Sequence, residues 1–308
     1  MGQRVLITGI TSFTGCYIGR AFVKSGNDVM STLTRPKSEY SDPAIMERVT
    51  YSEVKGFVDS APFGSSEFLK CIEDFKPEVF INHGASIKGY RNADFDVQAC
   101  VERATLECEK IFTKFATLNT HVIHSGSVFE RDSERGYDAY SPYGEAKTQI
   151  WEKLRKTAQD RGVKLSKVVI TDPVGPFENT DRLAPLLFKQ WYAGEQVEVR
   201  NPEFIWDRIP AEWLAQSYIE AAQSSVANIY RPSAFVATNL EWIKILEIIF
   251  KDMSSQSTRP FMLKGEERGA RTNTELCKEV SDIDQATAFF NSYGNWLLRI
   301  PGQTLKLF

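Results

Sequence analysis

The first 170 residues alternate short apolar runs with longer segments of helical length, and this alternation restricts the fold more than any other feature. The apolar runs lie near residues 4–8, 28–33, 78–82, 120–125 and 164–170. Segments such as Phe13–Ser25, Phe95–Thr117 and Tyr143–Arg161 place apolar residues three and four apart, which is typical of amphipathic helices. Strands that alternate with helices form a parallel sheet covered on both faces. We therefore predict an α/β fold with a doubly wound parallel sheet.

The regular alternation ends after Pro173, where helices are predicted near residues 181–193, 211–223 and 239–250. We predict a first domain over residues 1–172, to which later segments of roughly 201–238 return. A smaller α/β domain mainly occupies residues 173–308. Ligands of open α/β sheets bind beyond the carboxyl ends of the strands, so we expect this second domain to bind the substrate.

Composition and charge exclude several classes of partner. The chain is 42% hydrophobic and 25% charged, with a formal net charge of -3 and scattered Lys and Arg residues. This balance gives no general attraction for nucleic acid or an anionic membrane. Met1 leads directly into a strand-like run, from which we expect neither leader nor membrane span and a cytoplasmic protein. With three histidines and no CxxC pair, we expect no metal.

The first strand runs into a glycine turn and then a helix start, which is the order that a dinucleotide pyrophosphate requires. The first glycine permits the tight turn, the last permits close packing of helix on strand, and the helix N-terminus offers free N–H groups. A serine replaces the middle glycine of the pattern, and its Cβ leaves less room for the backbone to approach a phosphate. The alternative is a purely structural turn. The predicted cofactor-binding residues here are Gly9, Ser12, Phe13, Thr14 and Gly15.

The residues after the second strand bear on the choice of cofactor. No acidic residue ends that strand to accept a ribose 2′-hydroxyl; Thr34 and Arg35 follow instead. A guanidinium at this point can bind a 2′-phosphate. Arg35 therefore favours NADP over NAD, with a solvated surface arginine as the alternative.

Tyr143 and Lys147 lie one helical turn apart at the start of a predicted helix, so they share a face. An adjacent ammonium lowers the pKa of a phenol and favours its use in proton transfer. We expect Lys147 to lower the pKa of Tyr143 and to hold a ribose hydroxyl. Ser125 follows a strand and can hydrogen-bond a reacting carbonyl oxygen. His83 and His124 also lie at strand ends, where a structural histidine is the commoner case, and we assign them no role.

These motifs resemble those of the extended short-chain dehydrogenase/reductase superfamily, in its nucleotide-sugar epimerase/dehydratase group. The Rossmann-type turn TGxxGFxG of that group is similar to residues 8–15 (TGITSFTG), and its HxAA strand end to residues 82–85 (NHGA). Its SPYGxSK helix start is similar to residues 141–147 (SPYGEAK). The resemblance implies that Gly84 and Ala85 also line the cofactor site.

After the predicted helix that carries Tyr143 and Lys147, the chain matches the motifs of the group only in part. Residues 172–176 (DPVGP), 182–185 (RLAP) and 206–215 (WDRIPAEWLA) resemble its NxYGP, RLIP and RDFVHVxDLA segments. The resemblance implies substrate contacts from Ser127, and neutralisation of a diphosphate by Arg208 and Arg268. Sugar dehydratases of the group carry an Asp-Glu pair just after the serine, whereas residues 125–129 are SGSVF, so dehydration is disfavoured.

The sequence therefore predicts an NAD(P)-dependent oxidoreductase acting on a nucleotide sugar as a 4-ketoreductase or an epimerase, with Ser125, Tyr143 and Lys147 moving the proton. A reductase of a smaller carbonyl compound remains open, as does a non-catalytic NADP-binding regulatory protein. We expect a homodimer paired through Phe95–Thr117 and Tyr143–Arg161, because relatives commonly pair through two such helices.

Overall fold

The computed structural model describes residues 2–84, 89–254 and 257–304. The chain divides into two compact units. The first comprises Met1–Ile170 and Leu214–Arg231, and the second comprises Thr171–Trp213 and Pro232–Phe308.

The first unit is built on a seven-stranded parallel sheet. Its strands are β1 (Arg4–Thr8), β2 (Asp28–Thr32), β3 (Gly56–Val58), β4 (Val79–Asn82), β5 (His121–Ser127), β6 (Leu165–Ile170) and β10 (Ile229–Tyr230). They lie in the order β3-β2-β1-β4-β5-β6-β10, which reverses next to β1, the switch point of a doubly wound sheet. Its helices are α1 (Phe13–Lys24), α2 (Pro43–Tyr51), α3 (Ser66–Phe75), α4 (Val97–Ala104), α5 (Cys108–Leu118), α6 (Pro142–Arg161) and most of α8 (Ala211–Gln223), with a 3₁₀ turn at Lys37–Glu39. The predicted doubly wound α/β fold is confirmed.

Local sequence sets where these helices begin and end. The side chains of Ser12, Asp96 and Ser141 each accept a hydrogen bond from a backbone N–H of the first turn of α1, α4 and α6, respectively. Such caps satisfy N–H groups that have no partner within the helix. Gly162 ends α6 with a φ of 66°, a left-handed conformation that glycine adopts without steric cost.

One hydrophobic cluster of the first unit lies between the strands of the sheet and helices α3, α4, α5 and α6. Strands buried on both faces need apolar residues at successive positions, and Val5, Leu6 and Ile7 are all fully buried. The largest side chains of this core are aromatic and pack with ring centroids 5.0–6.1 Å apart: Phe68, Phe80, Phe112 and Phe115.

The helix predicted over Phe95–Thr117 is two helices in the structure, α4 and α5. The chain leaves the helical conformation after Ala104, and Glu107 adopts a φ of 53° before α5 begins. A positive φ at a non-glycine residue is incompatible with a continuous right-handed helix. The break also leaves Leu106 50% exposed.

The second unit is a smaller α/β assembly. A four-stranded sheet pairs β9 with β12 in antiparallel and with β7 and β14 in parallel orientation, and β8–β13 and β11–β15 form two-stranded parallel sheets. Its strands are β7 (Asp172–Val174), β8 (Glu198–Arg200), β9 (Ile205–Pro210), β11 (Pro232–Ser233), β12 (Phe235–Thr238), β13 (Met262–Lys264), β14 (Ala270–Arg271) and β15 (Glu275–Leu276). Its helices are α7 (Leu183–Tyr192), α9 (Asn239–Ser254) and α10 (Ile283–Thr304), with a 3₁₀ turn at Lys278–Ser281.

The segment that returns to the first unit is narrower than the predicted 201–238. Only Leu214–Arg231 returns, because β10 pairs with β6. Residues 205–210 instead form β9, whose partners are all strands of the second unit, and the first stretch of the chain ends at Ile170 rather than at 172. The core of this unit is formed by large side chains from α7, α9 and α10, among them Phe188, Trp191, Trp242, Phe250 and Tyr293.

Within the described ranges, none of the helices is both long enough and apolar enough to span a bilayer. The same ranges contain no group of three or more His, Cys, Asp or Glu residues arranged to hold a metal ion.

Candidate active site

The turn between β1 and α1 depends on its two glycines. Gly9 has a φ of 79°, and a Cβ there would lie 2.9 Å from the Cα of Gly84. A Cβ on Gly15 would lie 2.1 Å from the Gly9 carbonyl oxygen. Both contacts are too short for any side chain, so the turn and the close packing of α1 on β1 require glycine at both positions.

Ser12, which stands in place of the middle glycine, holds this turn closed. Its hydroxyl donates to the Gly9 carbonyl oxygen at 2.8 Å and accepts from the Gly15 N–H at 3.0 Å. Phe13 and Thr14 begin α1 and are buried, and the first turn of that helix carries no acidic residue. The N-terminus of α1 therefore retains the positive end of its dipole, which favours an anion.

Ser125 lies near the carboxyl end of β5 and is 4% exposed. Its hydroxyl is 2.7 Å from Nδ1 of His83 and 2.6 Å from the hydroxyl of Tyr218. His83 follows β4 and Tyr218 lies on α8, so three elements of the first unit converge on this oxygen.

Lys147 is tied to the same strand end. Its Nζ donates to the Ser125 carbonyl oxygen at 2.6 Å and lies 3.4 Å from Nε2 of His124. The side chain is buried, and burial lowers the pKa of Lys147, which the carboxylate of Glu130 partly offsets. Lys147 therefore joins α6 to β5.

Tyr143 begins the same helix face one turn earlier. Its ring packs edge-on against Tyr90, Phe95 and Phe129 at centroid distances of 5.4–6.3 Å. Burial raises the pKa of Tyr143 above its ordinary value of 10.0, and the negative charge of Glu130 raises it further. The expectation of a lowered pKa is thus wrong, because loss of solvation dominates and favours the neutral phenol.

A buried ion pair lies beside these residues. Lys167 Nζ on β6 donates to Glu130 Oε2 at 2.9 Å, with the two side chains 8% and 4% exposed, respectively. The second carboxylate oxygen of Glu130 accepts the Ser127 N–H at 2.8 Å, and the Lys167 ammonium lies 4.5 Å from the centre of the Trp151 ring. Trp151 in turn stacks on His124. Sequence reasoning did not identify this pair, because its members are 37 residues apart.

Arg35 lies beyond the carboxyl end of β2, where the sequence placed it. It is exposed, and its guanidinium lies over the Tyr40 ring at 4.3 Å. Lys37 lies over the Phe57 ring at the same distance, so two cations are held on aromatic faces close to the strand end.

Comparison with known proteins identifies the family to which this chain belongs. The family model described as the NAD dependent epimerase/dehydratase family matches residues 5–229. The chain belongs to this family. The predicted resemblance and the prediction of an NAD-dependent enzyme are therefore confirmed. No curated protein sequence gives a significant match.

Solved structures of nucleotide-sugar epimerases share the fold over nearly their whole length. UDP-glucuronic acid 4-epimerase from Bacillus cereus, in complex with NAD, is 15% identical with a TM-score of 0.74, covering 97% of this chain and 99% of its own. UDP-N-acetylglucosamine 4-epimerase from Methanobrevibacter ruminantium M1, in complex with UDP-N-acetylmuramic acid, is 16% identical with a TM-score of 0.73 and coverage of 96% and 98%. UDP-glucose 4-epimerase from Thermotoga maritima, with UDP-glucose, is 14% identical with a TM-score of 0.70 and coverage of 98% and 99%.

The residues that the epimerase/dehydratase resemblance assigned to the substrate lie in different environments. Ser127 is partly exposed, and its hydroxyl accepts the Phe129 N–H at 3.2 Å. Arg268 is exposed on the second unit. Gly84 is exposed beyond β4, its N–H held by the Thr8 hydroxyl at 2.8 Å, while Ala85 lies outside the described residues.

Arg208 is enclosed within the second unit. Its side chain is 1% exposed and donates to Asn239 Oδ1 at 2.6 Å and to the Ala237 carbonyl oxygen at 3.3 Å. Asp172 lies 3.6 Å from its Nε, and the Trp242 ring lies 5.3 Å from the guanidinium carbon. Within the described residues, Arg208 thus has two hydrogen bonds and one ion pair, while its buried Nε donates no hydrogen bond. Its predicted role towards a diphosphate stays a prediction.

Proposed function

We propose that this protein is a nucleotide-sugar 4-epimerase that uses a bound nicotinamide dinucleotide and the side chains of Ser125, Tyr143 and Lys147. One observation carries the proposal: the 2.6 Å hydrogen bond from Lys147 to the Ser125 carbonyl oxygen brings the start of α6 to the end of β5. This contact supports the proposal, because it joins the helix that carries Tyr143 and Lys147 to the strand that carries Ser125. The solved relatives named above as UDP-sugar 4-epimerases share this fold.

The first unit fits a dinucleotide. Gly9 and Gly15 form a turn in which a Cβ has no room, and α1 begins directly above it with no acidic residue in its first turn. Backbone N–H groups of this turn would hold the pyrophosphate, and the bound nicotinamide would supply reversible hydride transfer.

In this proposal, Tyr143 exchanges a proton between its hydroxyl oxygen and the oxygen on the reacting sugar carbon. As a phenolate, Tyr143 would take the proton of the sugar hydroxyl, and as the resulting phenol it would return that proton to the carbonyl oxygen of the keto-sugar. The positive charge of Lys147, one turn away on the same helix, and that of the oxidised nicotinamide would favour this phenolate against the effect of burial. Ser125 would hydrogen-bond the sugar beside this oxygen.

A second candidate, an NADP-dependent 4-ketoreductase, is favoured by Arg35. Its exposed guanidinium beyond β2 can bind a 2′-phosphate, a role suited to a forked donor. Net consumption of NADPH with a keto-sugar would support this reaction. Interconversion of stereoisomers without net change in the cofactor would support the epimerase.

The proposal is tested with the NAD-loaded and NADP-loaded protein and a panel of UDP-sugars, in which proton NMR detects the C4 isomers. We expect at least one pair to interconvert, and Tyr143→Phe to abolish conversion while dinucleotide binding is retained. Tyr192→Phe is the matched control, because it removes a hydroxyl from an exposed tyrosine on α7. Retained turnover in Tyr143→Phe would exclude the mechanism. Dinucleotide binding without turnover of any sugar would instead support a regulatory protein.

We further propose a homodimer that pairs through α4, α5 and α6. Light scattering should give twice the chain mass of 34.9 kDa, and a monomer at working concentration would exclude the dimer.

A further inference from the structure

The His83 side chain spans the distance between the glycine turn and Ser125. Its Nε2 lies 3.0 Å from the Ser12 hydroxyl and 2.9 Å from the Thr14 hydroxyl. Its Nδ1 lies 2.7 Å from the Ser125 hydroxyl. A single imidazole ring therefore connects the phosphate-binding turn to the predicted catalytic serine.

The hydrogen bonds of Ser12 determine which nitrogen of this ring carries the proton. A hydroxyl has one proton to donate and two lone pairs to accept. Ser12 donates its proton to the Gly9 carbonyl oxygen and accepts the Gly15 N–H. Towards His83 it has only a lone pair left, so Nε2 must be the N–H donor.

The other nitrogen is then an acceptor. A neutral imidazole donates from one nitrogen and accepts at the other. Burial, together with the nearby positive charge of Lys147, lowers the pKa of His83 to about 3, so the ring is neutral at pH 7. Nδ1 accordingly accepts the Ser125 O–H, and Ser125 accepts the O–H of Tyr218.

We propose that His83 is a positioning residue that, together with Tyr218, fixes Ser125 as a hydrogen-bond acceptor with one lone pair available to the substrate. Such a serine accepts the O–H of a sugar hydroxyl beside the reacting carbon and has no proton to offer a ketone. The inference rests on the proposed function and deepens it. It assigns the proton on the reacting oxygen to Tyr143 alone and gives Ser125 a neighbouring hydroxyl of the sugar as its partner.

The tautomer can be measured without substrate or cofactor. Protein labelled with ¹⁵N-histidine contains three labelled rings, at His83, His121 and His124, and His83→Asn identifies the first by the loss of its signals. At pH 7 we expect His83 to show a protonated Nε2 and an unprotonated Nδ1. A protonated Nδ1, alone or in an imidazolium, would overturn the proposal. This outcome is independent of turnover, so it stands or fails separately from the proposed function.

Variants then test the role of the ring. His83→Leu removes the contacts of both ring nitrogens with Ser12, Thr14 and Ser125, whereas the Oδ1 of His83→Asn can take the place of Nδ1 as acceptor for Ser125. In the epimerase assay we expect His83→Leu to lower kcat about tenfold, the effect of one hydrogen bond, with KM nearly unchanged, and His83→Asn to recover most of kcat. Equal kcat values for the two variants, or a loss confined to KM, would overturn the positioning role. Tyr218→Phe removes the other partner of Ser125 and should lower kcat by a similar factor.

Discussion

Replacement of Lys167 by methionine should destabilise the protein strongly, because it leaves Glu130 as a buried carboxylate without its cation. The two charged groups are 2.9 Å apart and 8% and 4% exposed. Methionine keeps the length of the apolar stem and its contact with Trp151, so the charge is the main change.

The loss of unfolding free energy in Lys167→Met can be estimated from the distance between the two charges and from their burial. At an effective dielectric constant of about 20, two unit charges 2.9 Å apart attract by about 6 kcal/mol, most of which offsets the cost of removing both from water. Removal of one partner leaves that cost uncompensated, and about 3–5 kcal/mol of unfolding free energy is lost. The Ser127 N–H remains as one donor to Glu130 and the Lys147 ammonium still interacts with its carboxylate, so the loss lies at the lower end of this range.

The matched control is the double variant Glu130→Gln with Lys167→Met, which removes both charges. We expect it to unfold within about 1 kcal/mol of the wild type. Urea unfolding followed by circular dichroism measures all variants, and hydrogen exchange of the β5 amides provides a probe local to the first unit. A single variant that loses less than 1 kcal/mol, or a double variant as unstable as Lys167→Met, would refute the reasoning.

Three further predictions concern other parts of the chain. Burial raises the pKa of Glu178 to about 7 from 4.5, so the folded state binds more protons than the unfolded state between these pH values. The free energy of unfolding should therefore fall as pH rises from about 4.5 to 7, by at most about 1.4 kcal/mol per pH unit. Glu178→Gln should flatten this slope, as measured by urea unfolding at a series of pH values. A slope that persists in the variant would assign the effect to another group. Gly15→Ala places a Cβ 2.1 Å from the Gly9 carbonyl oxygen, and calorimetry should detect no dinucleotide binding, whereas unchanged affinity would show that the turn is not the pyrophosphate site. Arg35→Ala should weaken NADPH binding about tenfold, as expected for loss of a charge-assisted hydrogen bond, and leave NADH binding unchanged; equal effects on both cofactors would remove the 2′-phosphate role.

The parallel sheet and the glycine turn could be predicted because their signals are local. Residues 4–15 carry an apolar strand, two glycines six residues apart and the start of a helix within one continuous stretch. Tyr143 and Lys147 were placed on one helix face by their spacing of four. Each of these predictions needed only the periodicity of one element.

The hydrogen-bond partners of the site could not be predicted, because they come from distant parts of the chain. His83 lies 42 residues from Ser125, and Tyr218 lies 93 residues from it. The sequence showed a histidine at a strand end, where a structural role was the better hypothesis. It did not show which hydrogen bonds the Ser12 hydroxyl donates and accepts, and these determine the tautomer of His83. Arg208 illustrates the same limit: its motif suggested a diphosphate ligand, whereas its enclosure by Asn239, Asp172 and Trp242 depends on the folded second unit.

The central claim is that a bound nicotinamide takes hydride from a sugar carbon while Tyr143 takes the proton. The direct measurement is rapid mixing of the oxidised, dinucleotide-loaded protein with a UDP-sugar substrate, followed by the near-ultraviolet absorbance of reduced nicotinamide. The account predicts a transient rise in wild type that is absent in Tyr143→Phe at equal cofactor occupancy. Isomer formation with no reduced nicotinamide, or an equal rise in both proteins, would contradict it.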